Sequence, residues 1–166
     1  MTYHFRAYFG LVMMCLLSAC ASRPNTSALS VIVDDYIQVY GERTDFVRFI
    51  DFYATDAKFE DMVYGHTASN RKAIANFFDW TANKVTVLDN KAVLVVTDKL
   101  IDVHSKHVIL SGYFNRFRYQ GNELGPWRFL IKLQFGSDGK ILYQQDWINY
   151  TPKSQFMTGV NLNHPQ

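Results

Sequence analysis

The chain has 166 residues, 48% hydrophobic and 16% aromatic, which is enough apolar material for one cored domain and unlike the composition of disorder. Its 17 Lys and Arg stand against 15 Asp and Glu for a formal charge of +2, with no basic block, so no nucleic-acid partner is expected. Both cysteines, Cys15 and Cys20, lie near the start, which excludes a disulfide framework.

Residues 1–20 read MTYHFRAYFGLVMMCLLSAC: a start carrying His4 and Arg6, an acid-free run from Ala7 to Leu17, then small residues. That is the grammar of a secretory signal, too short for a permanent membrane span. Its ending, Leu17-Ser18-Ala19-Cys20, resembles the bacterial lipobox, in which the cysteine is acylated and becomes the first mature residue. The resemblance implies a signal peptide over 1–19, a lipid anchor at Cys20, and a small polar tether over 20–27. Ala21, where an Asp would favour inner-membrane retention, implies the outer membrane, with the domain facing the periplasm.

From Ala28 the spacing of Leu29, Val33, Tyr36 and Tyr40 predicts a helix that Gly41 ends. Thr44 is the expected N-cap of a second helix, with Phe46, Phe49, Ile50 and Tyr53 as its apolar stripe. FYATDAKFEDMVYG, residues 52–65, then reads as a helix end, a hinge and a strand that aims Glu60 and Asp61 to opposite faces. Thr67, Ser69 and Asn70 offer caps for a third helix bearing Ile74, Phe77 and Phe78.

Beyond about Lys84 the pattern is strand. Residues 92–96 are β-branched, 107–119 are aromatic with a candidate bulge at Gly112, and 127–135 alternate with Trp127, Phe129, Ile131, Leu133 and Phe135 on one face. QGNELGP at 120–126 and GSDGK at 136–140 are turn chemistry, residues 141–150 form the last strand, and 151–166 a polar tail. The order predicts one α+β domain over 28–150, a curved antiparallel sheet wrapped around about three N-terminal helices.

FYATDAKFED at 52–61, AIANFF at 73–78 and FGSDGKILYQQDW at 135–147 resemble the nuclear transport factor 2-like superfamily, the cone-shaped fold of SnoaL-like cyclases and ketosteroid isomerase. The resemblance places Asp61 at the isomerase base, Tyr36 at an oxyanion donor and Asp146 at a last-strand acid. Ile131 occupies the place of the isomerase's second donor, and Met62 stands where the isomerases commonly carry proline, which argues against steroid isomerisation.

The expected ligand is a small apolar molecule held by Tyr36, Asp61 and Asp146, with His66, Phe129, Ile131 and Trp147 around it. A second expectation is an isomerase, cyclase or dehydratase using Asp61 as base and Tyr36 as oxyanion donor; a third is a non-catalytic assembly module of the envelope. The superfamily's habit of pairing through the outer sheet face implies a possible homodimer. Asp102, His104 and His107 flank a turn without metal-site spacing, and no nucleotide loop occurs, so no metal and no cofactor are expected.

Overall fold

The structure is a computed structural model, and it describes residues 27–80 and 84–150. The expectations for residues 1–26, including the signal, the Cys20 anchor and most of the tether, lie outside these residues, as does the 151–166 tail.

Helix α1 spans Ala28–Glu42; the Ser27 hydroxyl caps it by accepting from Ser30 N at 3.1 Å. Gly41 does not terminate it. The left-handed cap residue is Arg43, at φ 52°, and its N–H donates to Val39 O at 3.1 Å. Gly41 instead lets the helix approach the sheet: a Cβ there would lie 3.0 Å from Leu94 O, and Gly41 O accepts Val93 N at 2.7 Å. Helix α2, Phe46–Asp51, is capped by Asp45 rather than Thr44, Oδ1 accepting Arg48 N at 2.9 Å.

Strand β1, Tyr53–Asp61, begins two residues later, so Tyr53 belongs to the sheet and not to the helical stripe. Strand β2, His66–Ser69, uses up two of the expected cap residues, and Asn70 caps α3, Arg71–Phe78, through Ala73 N at 2.9 Å. The remaining strands are β3 (Val85–Val87), β4 (Leu94–Asp102), β5 (His107–Phe114), β6 (Phe117–Tyr119), β7 (Asn122–Leu124), β8 (Trp127–Phe135) and β9 (Ile141–Ile148). The segment expected to be a turn at 120–126 thus contains a short strand.

The predicted all-antiparallel, cone-shaped sheet is not what forms. One sheet has the order β2-β1-β9-β8-β5-β4 and is open, with β2 and β4 at its two edges; β3, β6 and β7 form a separate sheet. The larger sheet is mixed because β1 and β9 run parallel, Phe59 opposite Gln144 and Asp61 opposite Asp146. A parallel pair needs a long connection, and here residues 62–140 supply it. Alternation reports which face a residue takes but not the direction of the neighbouring strand, so the sequence pattern could not reveal the parallel pair.

The bulge near Gly112 lies on the partner strand. The β4–β5 register shifts between Val96 and Asp98, opposite Gly112 and Ser111, and a Cβ on Gly112 would sit 2.0 Å from Val95 O. The inner sheet face packs on the helices through an aromatic core in which Phe49 meets Trp80 at 4.3 Å, Tyr40 at 4.9 Å and Phe78 at 5.0 Å between ring centroids. A fully buried ring such as Phe49 contributes on the order of 2–3 kcal/mol of transfer free energy.

Candidate functional site

Two acids are buried side by side at the end of the β1–β9 pair. Period-two alternation sends Ala57, Phe59 and Asp61 inward from β1 and Gln144, Asp146 and Ile148 inward from β9. Asp61 and Asp146 are each 1% exposed and Gln144 is fully buried. Burying polar groups at this depth costs several kcal/mol unless their hydrogen bonds are replaced, and the replacements are specific.

Gln144 is the hub. Its Oε1 accepts the Tyr36 hydroxyl at 3.0 Å and the Tyr53 hydroxyl at 2.6 Å, and its Nε2 donates to Asp146 Oδ1 at 2.8 Å. Asp61 is satisfied separately. Its Oδ1 accepts the N–H groups of Val63 and Tyr64, both at 2.9 Å, and its Oδ2 accepts the Tyr150 hydroxyl at 2.6 Å. Three donors converge on Asp61, which makes it an acceptor that shapes the 62–65 turn and holds Tyr150.

Asp146 differs. Burial pushes its carboxyl up to about 8, the Gln144 hydrogen bond partly opposes this, and the neighbouring Asp61 adds to it. At neutral pH it is therefore chiefly a protonated acid. Burial likewise raises the Tyr36, Tyr53 and Tyr150 phenols, so all three stay neutral donors.

Asp146 and Tyr150 open onto a cavity of about 300 Å³, walled by Tyr40, Phe77, Phe78, Phe114, Phe117, Trp127 and Ile148, with Arg43 also on its surface. An apolar cavity of about 150 Å³ accepts one benzene ring, so this one accommodates a two-ring body.

The residues expected from sequence fall in different places. Asp146 lines the cavity; Asp61 touches it through Tyr150; Tyr36 stands behind Asp146, its hydroxyl committed to Gln144. Phe129 and Ile131 are core, the latter opposite Asp146 on β8, and neither lines the cavity. His66 is exposed and stacks on Phe77, a wall residue, at 4.5 Å. Trp147 is 40% exposed on the outer face beside Leu130, pointing away. Glu60 also faces outward, where Tyr143 and Gln145 donate to it and lower its carboxyl.

Gln144, Tyr53, Tyr150 and Arg43 are not among the site residues expected from sequence. The period-two rule contained a signal for Gln144, because it shares the face of Asp146 two residues away. Arg43 gave none.

No family model matches the chain, and no curated protein matches its sequence. Solved structures do match. A protein assigned as a SnoaL-like polyketide cyclase from Shewanella denitrificans superposes with TM-score 0.60 at 17% identity, covering 77% of this chain and 93% of that one. A second, from Shewanella putrefaciens, gives 0.60 at 16% identity, covering 75% and 91%. The chain shares the SnoaL-like fold, distantly. A hypothetical protein with a ketosteroid isomerase-like fold from Catenulispora acidiphila, solved in complex with trimethylamine, gives TM-score 0.54 at 18% identity, covering 69% and 82%. At these identities the likeness establishes architecture, and chemistry has to come from the site itself.

Proposed function

We propose that the chain binds a small, largely apolar carbonyl compound in the Asp146 cavity and moves a proton on it, as a cofactor-independent isomerase, cyclase or dehydratase does. Asp146 carries this reading: a buried carboxyl, held by Gln144 and titrating at about 8, on the wall of an aromatic cavity. A carboxyl tuned close to the working pH transfers protons in both directions. In its protonated form it donates to a carbonyl oxygen; in its ionised form it removes a proton from the adjacent carbon. Tyr150, oriented by Asp61, supplies a neutral phenol to the same cavity.

The test is solvent-deuterium incorporation at the α-carbon of bicyclic enolisable ketones such as 1-tetralone, followed by mass spectrometry. Exchange above the buffer rate, rising with pH towards about 8 and lost in Asp146→Asn, is expected. Binding of the ketones without exchange would leave a binding protein and remove the catalytic role.

The envelope assignment is proposed alongside it, on the strength of the Leu17–Cys20 motif. Cys20→Ser is expected to release the domain from the membrane fraction or block its processing; unchanged fractionation and processing refutes the anchor and the outer-membrane placement together. Pairing of two copies through the outer sheet face is proposed from the adjacent exposed pair Leu130 and Trp147, each 40% exposed. Sedimentation of the Trp147→Glu variant as a monomer beside a dimeric parent is the expected result.

A further inference from the structure

Arg43 is an odd residue to find where it is. It adopts a left-handed backbone conformation, φ 52°, which is unfavourable for a non-glycine residue. Its guanidinium carbon lies 4.9 Å from the Phe117 ring centroid, 5.0 Å from Trp80, 5.2 Å from Tyr40 and 5.9 Å from Phe114. Rings on several sides attract a cation but do not hydrogen-bond its N–H groups.

The Tyr40 hydroxyl interacts with the guanidinium, yet among the described residues its Nε is buried without a partner and no carboxylate pairs with the group. Loss of water lowers the guanidinium below its usual range. Among the described residues the indole Nε1 of Trp80, a residue 3% exposed in the same ring cluster, is likewise buried and unpartnered. Buried donors without acceptors are uncommon and costly. Two of them in one ring cluster, one on a cation, leave acceptor oxygen undersupplied there, and a cation favours an acceptor that carries negative charge.

Arg43 and Asp146 bound the same cavity. The cavity therefore carries a cation as well as an acid, among aromatic walls. We infer that Arg43 is an anion subsite, and that the ligand of this cavity is an amphiphilic acid: a one- or two-ring apolar body carrying a carboxylate for Arg43. This rests on the cavity being the ligand site proposed above, and it narrows the substrate class to carboxylated carbonyl compounds.

Calorimetric titration of 2-naphthoate and its neutral isostere 2-naphthamide into the full chain tests it. Naphthoate is expected to bind at least about tenfold more tightly, as a charge-assisted hydrogen bond would provide, with the advantage shrinking as salt is added. Arg43→Gln is expected to abolish the preference while naphthamide binding persists, which also reports that the cavity is intact; Arg43→Lys keeps part of it. Should Arg43→Gln fail to fold, the parent ratio, its salt dependence and Arg43→Lys carry the test. Equal affinities in the parent overturn the anion subsite and leave the cavity reading standing. A preference that survives in Arg43→Gln overturns the assignment to Arg43. Binding of neither probe overturns both.

Discussion

Replacing Asp146 by Asn gives the most direct measure of how far the fold has moved this carboxyl. The native carboxyl titrates at about 8, raised chiefly by burial and then by Asp61, whereas an unfolded chain would have it near 3.9. Between those values the native state holds the proton more tightly than the unfolded state. The contribution to stability is thus fully present below about pH 4, lost progressively as pH rises, and exhausted above about 8. At ~1.4 kcal/mol per pH unit the span is on the order of 5 kcal/mol, comparable with the whole stability of a small domain. Asparagine mimics the protonated acid, since its Oδ1 still accepts from Gln144 Nε2, and it has no proton to lose. Urea unfolding of both proteins from pH 4 to 9 should show their difference growing in favour of Asp146→Asn, by roughly 4 kcal/mol between pH 4 and 7. Any packing cost of the amide adds a constant offset but no slope. A difference that stays flat across this range would mean the carboxyl titrates normally, and the acid–base role would fall with it.

Asp61→Asn removes a like charge from beside Asp146 and is expected to move the Asp146 titration, followed by carbon NMR of the labelled carboxyl, downward from about 8; an unchanged midpoint would show that the two acids do not communicate. Gln144→Leu strands two phenols and the Asp146 carboxyl, and should cost about 3 kcal/mol or more in chemical denaturation. Gly112→Ala forces a methyl against Val95 O and should cost roughly 3 kcal/mol or prevent soluble expression, an effect that Ser111→Ala beside it should not share.

What the sequence made legible was local. Helical spacing found α1 and α2 to within a residue or two of their observed ends, and alternation over 127–135 assigned the inward face of β8 as observed, with Phe129, Ile131, Leu133 and Phe135 buried. The misses involve a neighbour the pattern does not contain. Gly41 looked like a helix stop because glycine often is one, but its small size serves the approach of Leu94, fifty-three positions away by subtraction of the residue numbers. The bulge attributed to Gly112 belongs to β4 for the same reason: the glycine is the space into which the other strand bends.

The site shows the same division more sharply. Asp61 and Asp146 could be noticed singly, as acids at the ends of strands, but what distinguishes them is the company each keeps. Tyr36, Tyr53 and Gln144 come from a helix, the start of β1 and β9, and they meet where β1 and β9 run parallel. That pairing also sets Asp61 directly beside Asp146 and lets one carboxyl take three donors while the other takes one. In a strictly antiparallel sheet β1 would run the other way along β9, and its last residue would lie at the opposite end of that strand from Asp146. The parallel pair is therefore the step by which this fold turns two unremarkable strand-end acids into a hydrogen-bond acceptor that positions Tyr150 and a neutral acid that faces the cavity.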